Sequence, residues 1–307
     1  MSLIEAIFMG IIQGLTEFLP VSSSGHLALF KILFDVETET GMLFDVLLHF
    51  GTLLAICAVF YKDIARMVVE GIAILKNGAI NLVIFFRNVF LRLQNVFRKE
   101  KLSEEELDLG TYHRVINSNY RKFVMLVIVS TIPTGIIGVI GKDVVEMASE
   151  ILIVPGICLV ITAILLFVAD AVKDGNKGPK DISYANAFII GIVQGVATLP
   201  GISRSGSTIT ACLLSGFQRS FAVKYSFIMS IPAILGAMVL ELFDFAVVDL
   251  SGTEIAGYVI GMVIAGLVGY ICIKTMLIVV RKKKFKFFAI YCLLIGIVSI
   301  AGYFYMV

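Results

Sequence analysis

Residues 10–26 read G-I-I-Q-G-L-T-E-F-L-P-V-S-S-S-G-H, and residues 191–207 read G-I-V-Q-G-V-A-T-L-P-G-I-S-R-S-G-S. The two stretches share glycine, glutamine and serine positions in the same order, and only their prolines, Pro20 and Pro200, need a one-residue gap to align. The first contributes Gly10, Gln13, Gly14, Ser22, Ser24 and Gly25, and the second Gly191, Gln194, Gly195, Ser203, Ser205 and Gly206. The similarity continues downstream, where F-D-V-L-L-H-F-G-T from Phe44 aligns with Y-S-F-I-M-S-I-P-A from Tyr225. The chain therefore contains two homologous halves, about 181 residues apart.

The composition is that of a membrane protein. Of 307 residues, 59% are hydrophobic and 16% are charged, and the mean hydropathy is +0.98. Soluble domains average about 45–50% apolar and about 25% charged residues. These values argue against a soluble enzyme, a disordered chain and a secreted disulfide scaffold. The five cysteines lie in apolar runs without zinc or redox spacing, so we interpret them as small hydrophobic residues.

Six stretches are long and apolar enough to cross a bilayer, which needs about 20 mostly apolar residues per helix. They are roughly 42–60, 123–141, 151–170, 225–243, 255–273 and 287–305. Residues 2–34 and 184–217 are also apolar, but Pro, Gly and several Ser interrupt each region near its middle. Each half is then too short to cross. Both regions are predicted to be re-entrant helix-loop-helix hairpins, whose loops are buried in protein or line a cavity.

Basic residues concentrate in alternate connections and predict the orientation. Of 25 Lys and Arg residues, 22 lie in 62–122, 173–180, 219–224 and 274–286. The positive-inside rule places these connections in the cytoplasm, and the acidic connections 142–150 and 244–254 outside, with both termini. The first hairpin is then entered from outside and the second from the cytoplasm. Such inverted-topology repeats place a site near the membrane midplane.

The predicted fold is an all-α integral membrane protein with about six transmembrane helices and two re-entrant hairpins, in one membrane domain, 1–307. The first repeat core is 1–60 and the second is 184–243, and each consists of a hairpin and a span. Between them, 61–122 is predicted to be a cytoplasmic loop with interfacial helices. Residues 79–97 are apolar, but Arg87 and Arg92 would each cost about 2.5–3.5 kcal/mol near the centre of a spanning helix. We therefore expect an interfacial helix there.

Ionisable side chains at membrane depth are costly and indicate function by default. Gln13 and Glu17 are four residues apart and share a helix face, so that the amide and the carboxylate can point at one ligand. Glu17 is a candidate ligand for a hard cation such as Mg²⁺ or Ca²⁺. In the alternative reading, Glu17 is a helix-end carboxylate held by the following loop.

The loop of the first hairpin is a candidate anion site. Ser22, Ser23, Ser24 and Gly25 offer hydroxyls and free backbone amides just before a helix, an arrangement that binds anions. The alternative is that the serines only cap this helix. His26 would lie in its first turn as a general acid, a general base or a nucleophile, or as a structural histidine.

The loop of the second hairpin adds a cation. Arg204 lies between Ser203 and Ser205 and before Gly206. Its planar guanidinium suits a phosphate, although a salt bridge to Glu17 is the alternative. Together, the carboxylate, hydroxyls, imidazole and guanidinium suit phosphoryl transfer to water. The same loops could instead bind an anionic solute in a secondary transporter or lipid flippase.

Two further polar residues lie on the first predicted span. His49 and Asp45 are four apart and share a helix face. They either support the site or pair with each other.

The string Q-G-L-T-E-F-L-P-V-S-S-S-G-H from Gln13 and the string L-P-G-I-S-R-S-G-S-T-I from Leu199 resemble the two signature motifs of the undecaprenyl-diphosphate phosphatase family, of the bacitracin-resistance type. The resemblance covers the whole chain, including the number of spans and both hairpins. It implies removal of the terminal phosphate from the C55 isoprenyl diphosphate. This reaction regenerates the lipid carrier of peptidoglycan synthesis and confers bacitracin resistance.

The resemblance also implies site residues, a cofactor and a location. The family's motif positions fall on Gln13, Glu17, Ser23, His26, Ser203 and Arg204. Where other members have two carboxylates, Gln13 leaves this chain with one. A divalent cation, Mg²⁺ or Ca²⁺, is expected at Glu17, in an active site that opens to the outer face of the bacterial plasma membrane. The expected partners are the polyprenyl diphosphate lipid and membrane lipids, and no nucleic acid is expected. Whether the chain forms a homodimer is left open.

Two residues are candidates for the nucleophile. Ser23 and His26 are three residues apart at a predicted helix start, so they can share a face. We favour Ser23 as the nucleophile or a phosphate ligand, with His26 assisting, because helix amides would hold a phosphate beside the serines. Attack by His26 would instead form a phosphohistidine.

Overall fold

A computed structural model describes residues 2–34, 36, 43–98, 102–244, 252–281 and 284–306. Within these residues the chain forms twelve α-helices, a 3-10 helix at Pro179–Asp181 and no β-strand, which confirms the all-α prediction. The helices are α1 (Leu3–Phe18), α2 (Ser23–Phe34), α3 (Leu43–Val59), α4 (Tyr61–Val96), α5 (Asn119–Ile140), α6 (Lys142–Glu150), α7 (Ile153–Ala171), α8 (Tyr184–Val196), α9 (Arg204–Leu214), α10 (Arg219–Asp244), α11 (Gly252–Arg281) and α12 (Phe285–Met306).

Six helices in the described part of the chain are long and apolar enough to cross a membrane. Five of them are predicted spans, namely α5, α7, α10, α11 and α12. The remaining predicted span, 42–60, forms α3, which has 17 residues and falls just short of that length. Instead α4 reaches it, with 36 residues that begin at Tyr61 rather than near residue 79. Length and composition therefore do not decide by themselves whether α4 crosses.

The predicted hairpins correspond to α1 with α2 and to α8 with α9. Their re-entrant course and the sidedness of the loops stay predictions. Several residues on which the orientation depends, Lys99, Lys101, Lys282 and Lys283, lie outside the described residues, as does most of the connection 244–254.

The internal repeat is visible in the helix boundaries. The helices α1 and α8 begin 181 residues apart, and so do α2 and α9. Serine caps mark the equivalent starts: Ser2 Oγ accepts the Glu5 N–H at 3.2 Å, and Ser183 Oγ accepts the Asn186 N–H at 3.1 Å. Because a serine cap satisfies a helix N–H that has no intrahelical partner, both hairpins begin in the same local way.

The first hairpin packs tightly on α11 through a G-x-x-x-G pair. A Cβ atom on Gly10 would lie 2.6 Å from the carbonyl oxygen of Gly261, and one on Gly14 would lie 2.8 Å from that of Ala265. Small residues at this spacing let helix backbones approach closely. The positions of these glycines therefore fix where α1 rests on α11.

The second hairpin uses its own G-x-x-x-G pair, Gly191 and Gly195, against α5. A Cβ atom on Gly191 would lie 2.1 Å from the carbonyl oxygen of Ser130, and the Thr134 hydroxyl donates to the Gly191 carbonyl at 2.8 Å. Thus α1 packs on α11, which follows the second repeat core, and α8 packs on α5, which lies in the chain between the two repeat cores. The two halves interlock.

The chain divides into two compact units. One comprises Met1–Tyr61 with Leu126–Val307, and the other Lys62–Met125. In sequence, the second unit nearly coincides with the predicted cytoplasmic loop 61–122. All candidate site residues belong to the first unit.

The close approach at Gly191 generates a stability prediction. We expect Gly191→Ala to lower the thermal unfolding temperature in detergent, because overpacking a tight contact costs about 1–3 kcal/mol. The matched control is Gly135→Ala on α5, where an added Cβ meets nothing within 4 Å. That variant should be neutral or slightly stabilising, since Ala is favoured over Gly in a helix by about 0.5–1 kcal/mol. Equal unfolding temperatures for the two variants would contradict the packing.

Candidate functional site

The loops of the two hairpins touch each other. A Cβ atom on Gly25 would lie 2.7 Å from Cα of Gly201. On the other side of Gly201, the Thr162 hydroxyl of α7 donates to the Gly201 carbonyl at 2.9 Å and accepts the Ser203 N–H at 2.9 Å. Thr162 thus holds the second loop in place from a neighbouring helix.

One serine in each loop caps the helix that follows. Ser22 Oγ accepts the Gly25 N–H at 3.3 Å, and Ser203 Oγ accepts the Gly206 N–H at 3.0 Å. Ser22 has φ = 70°, in the left-handed region that residues other than glycine rarely adopt. The capping alternative therefore describes these two serines, and it leaves Ser23 and Arg204 as the first residues of α2 and α9.

Glu17, in the last turn of α1, is the centre of the polar cluster. One carboxylate oxygen forms an ion pair with Nη2 of Arg204. The other accepts the Ser23 hydroxyl at 2.5 Å and a Gln13 amide N–H at 3.1 Å. Only 7% of the Glu17 side chain is exposed, against 21% for Arg204. The salt bridge to Glu17, which was the alternative to a phosphate-binding role for Arg204, is therefore present, and it joins the two hairpins.

Gln13 extends this cluster to α3. Its Nε2 lies 2.8 Å from Nδ1 of His49, and the same nitrogen of His49 lies 3.3 Å from the Glu17 carboxylate. Because the Gln13 amide has two N–H groups, it can serve both neighbours, with His49 accepting. Gln13 is fully buried, and its Oε1 has no hydrogen-bond partner among the described residues.

His49 either supports the site or pairs with Asp45. Its contact with Gln13 favours the first interpretation. Asp45 instead pairs with Lys31 of α2, whose Nζ lies 2.8 Å from Oδ2. His49 and Asp45 therefore have different partners, although they share a helix.

His26 is held by α12. Its Nδ1 lies 2.7 Å from the Ser22 carbonyl, and its Nε2 lies 2.9 Å from the Tyr291 hydroxyl. A carbonyl can only accept, so Nδ1 carries the proton and Nε2 accepts the Tyr291 O–H. The two rings also stack, with centroids 5.6 Å apart. The Ser23 hydroxyl is bonded to Glu17 and not to His26 in this arrangement.

Sequence reasoning missed Tyr291 and Thr162. Each lies in the middle of an apolar helix, far along the chain from the loop it contacts, and carries no motif. Their roles depend on tertiary packing alone. Only the expectation that buried polar groups find partners could have singled out Thr162, and nothing in the sequence pairs either residue with its loop.

The predicted cation can be tested against the residues that are present. No group of three or more His, Cys, Asp or Glu side chains that could hold a metal ion occurs among the described residues. Near Glu17, however, the buried Gln13 Oε1 is an acceptor without a partner. Mg²⁺ is commonly bound through one or two carboxylates, water and substrate phosphates. One carboxylate and one amide oxygen fit a cation that a phosphorylated ligand helps to hold.

The arrangement has a definite chemical capacity. The two hairpin loops meet where four groups come together. They are the Arg204 guanidinium, the Ser23 hydroxyl, the Glu17 carboxylate, which can accept the proton of that hydroxyl, and the His26 imidazole. A guanidinium near a helix start is suited to a phosphate. A hydroxyl that is hydrogen-bonded to a group able to accept its proton has the arrangement of a nucleophile with its base.

Comparison with known proteins extends over nearly the whole chain. The family model for the bacitracin resistance protein BacA matches residues 6–298. The undecaprenyl-diphosphatase of Methanosphaera stadtmanae is 37% identical over 301 residues, which cover 98% of both chains. That of Halothermothrix orenii is 38% identical over 300 residues, again 98% of both chains. That of Treponema denticola is 37% identical over 297 residues, 97% of this chain and 96% of its own.

The ion pair generates a second stability prediction. Removing one partner of a wholly buried pair costs about 3–5 kcal/mol, because a charge is left uncompensated. Since a fifth of Arg204 is exposed, we expect Arg204→Gln to lose somewhat less stability than this. The loss is seen as a lower unfolding temperature. The double variant Glu17→Gln with Arg204→Gln should recover part of the loss, as it leaves two neutral amides.

Thermal unfolding of the two single variants and the double variant in detergent measures this coupling. The control is Arg92→Gln, from the exposed pair of Arg92 with Glu104, which should change stability by about 0–1 kcal/mol. Strictly additive losses for Glu17 and Arg204 would show that the pair does not couple the hairpins.

Proposed function

The chain belongs to the family of the bacitracin resistance protein BacA, and we propose that its active site is the cluster around Glu17 and Arg204. The reaction is the dephosphorylation of undecaprenyl diphosphate, which gives undecaprenyl phosphate and inorganic phosphate. It recycles the lipid carrier for cell-wall synthesis. The main observation in favour of this site is the Glu17 carboxylate, which forms an ion pair with Arg204 and a hydrogen bond with the Ser23 hydroxyl.

The proposed first event is an exchange of partners at Arg204. The terminal phosphate brings more negative charge than a carboxylate, and its oxygens match the planar fork of a guanidinium. When the phosphate binds Arg204, Glu17 loses its counter-charge and becomes a stronger proton acceptor. Substrate binding thereby activates the group that is bonded to Ser23.

Ser23 then acts as the nucleophile. Its Oγ attacks the terminal phosphorus while its proton passes to Glu17, 2.5 Å away. The bond between that phosphorus and the bridging oxygen breaks, and undecaprenyl phosphate leaves with the electron pair. The negative charge on the leaving group is delocalised over its phosphate, so it needs no proton from the protein.

Water completes the cycle by attacking the phosphoserine. Glu17 returns its proton to Ser23 Oγ as phosphate leaves. The proton lost by the water passes to Nε2 of His26, the nitrogen that the Tyr291 hydroxyl otherwise occupies, and then leaves with the phosphate or to solvent, which restores neutral His26. This assignment gives His26 the assisting role of a general base.

A divalent cation, if bound, would be held by Glu17 and Gln13 Oε1 together with oxygens of the diphosphate. It would supply charge neutralisation for the phosphate that is transferred.

We also propose that the active site opens toward the outer face of a bacterial plasma membrane. Its support is the predicted topology and the expectation that the diphosphate is processed where the carrier is recycled.

Loss of either charged partner generates an activity prediction. Arg204→Ala and Glu17→Ala should each lower phosphate release from undecaprenyl diphosphate by about 100-fold or more, as for other groups that stabilise transition-state charge. Arg204→Lys should also be poor, because an ammonium lacks the planar fork.

Matched controls are Arg87→Ala and Glu146→Ala, which remove the same charges from exposed positions and should leave the rate unchanged. Purified protein of each variant is compared at equal folded concentration. Near-normal turnover in Arg204→Ala or Glu17→Ala would refute the site.

The nucleophile generates a separate prediction. Rapid quench with terminally labelled substrate should trap label in an acid-stable, base-labile adduct at Ser23. The adduct should accumulate in His26→Gln, where its hydrolysis is slowed, and be absent in Ser23→Ala. An acid-labile, base-stable adduct at position 26 would instead identify His26 as the nucleophile.

A further inference from the structure

The second compact unit contains a polar stripe along α4. Roughly 54 Å long at 1.5 Å per residue, α4 carries polar residues at helical spacing on one side. They are Asp63, Glu70, Asn77, Asn81, Asn88 and Asn95. Positions three, four or seven apart share a helix face, so these side chains form one continuous line.

The asparagines of this stripe hold a non-helical segment, residues 102–114, which contains a turn at 104–106 and which we call the strap. Asn95 accepts the Leu102 N–H at 2.9 Å and donates to its carbonyl at 2.8 Å. Asn88 does the same with Gly110, at 2.8 and 3.0 Å, and Asn81 with His113, at 2.7 and 2.8 Å. Three two-point contacts at a spacing of seven residues fasten the strap along α4.

The strap is strongly acidic. It contains Glu104, Glu105, Glu106 and Asp108. Two of these pair with α4, Asp108 with Arg87 at 2.5 Å and Glu104 with Arg92 at 3.0 Å. The Ser103 N–H, which donates to Glu106 Oε2 at 2.8 Å, holds the pKa of Glu106 below its usual range. This contact favours the charged form of Glu106.

The opposite side of α4 is apolar over its whole length. Eleven positions at helical spacing, from the first residue of α4 to the residue just past its end, are apolar and exposed. They are Tyr61, Ala65, Val68, Ile72, Leu75, Ala79, Val83, Phe86, Phe90, Leu93 and Phe97. Leu82, Phe85 and Val89 are exposed as well and widen the face. An apolar surface of this extent needs a covering.

The strap excludes α4 as a membrane span. A crossing needs about 20 residues in hydrocarbon. Residues 61–80 contain five charged side chains: Lys62, Asp63, Arg66, Glu70 and Lys76. Residues 77–96 are accompanied by the strap, whose non-helical backbone and carboxylates are not tolerated in lipid. Every stretch of α4 that is long enough to cross therefore includes charged residues of its first half or residues beside the strap.

We propose that α4 lies flat in the interface of the phospholipid bilayer, with the apolar face in the acyl region and the strap toward water. The helix carries five basic residues against two acidic ones. Of these, Lys62 and Lys76 lie at the border of the apolar face, where basic side chains meet lipid phosphates, whereas Arg87 pairs with Asp108 of the strap. The acidic strap lies on the far side, away from those phosphates.

Lipid fits this face better than a second copy of the chain. A coiled-coil seam is narrow, and charged residues flank it. Here the positions beside the central apolar line are themselves apolar, including Val69, Leu82 and Phe85. A broad face bordered on one side by basic residues is typical of a helix that lies in a membrane surface.

Spin-label depth measurements test the proposal on the full-length protein in phosphatidylcholine–phosphatidylglycerol vesicles. The five native cysteines are first replaced, and single cysteines are placed at Leu75, Val83 and Phe90. Oxygen and a water-soluble nickel chelate report the depth of each label. All three should lie at similar depth, about 5–10 Å into the boundary of headgroups and acyl chains. A label at Glu105 on the strap is the control and should be accessible to the chelate.

Three results would overturn the proposal. A spanning helix would change depth by about 1.5 Å per residue between positions 75 and 90. Labels shielded from both reagents, with dipolar broadening between copies, would make a second copy the occupant. Labels on the apolar face that are as accessible to the chelate as position 105 would place α4 in water. Because these labels occupy exposed positions outside the active site, phosphate release serves as an independent check of folding.

Discussion

The ion pair between Glu17 and Arg204 is the constraint on which the site depends. Each charge lies in an apolar helical protein and would be costly to bury alone. Together they neutralise each other at the point where α1 ends and α9 begins. The pair therefore joins the two hairpins, and it sets the distance between the groups to which the proposed mechanism assigns the diphosphate.

The repeat explains how a site of this kind is built. Glycine pairs at equivalent positions set α1 on α11 and α8 on α5, and serine caps start equivalent helices. The chemistry, by contrast, is not duplicated. In the 181-residue register, Ser23 corresponds to Arg204 and His26 to Ser207. One hairpin provides the acid, the hydroxyl and the imidazole, and the other provides the cation.

The sequence located the polar cluster better than the contacts that hold it. The local pattern of Pro, Gly and Ser located both loops, and the cost of burying charge singled out Glu17, His26 and Arg204. Periodicity could not reveal that Tyr291 bonds His26 or that Thr162 holds the second loop, because both contacts join distant segments. Likewise, hydropathy marked residues 79–97 as apolar, but it gave neither the start of α4 at Tyr61 nor the strap. The strap depends on asparagine contacts between residues 7 to 32 positions apart.

A structure with a non-hydrolysable undecaprenyl diphosphate, in which a methylene group replaces the bridging oxygen, tests the exchange of partners at Arg204 most directly. The account predicts the terminal phosphonate on the Arg204 guanidinium, Ser23 Oγ in line with the P–C bond, and Glu17 separated from Arg204 while still bonded to Ser23. An intact pair between Glu17 and Arg204, with the phosphonate bound elsewhere, would contradict it.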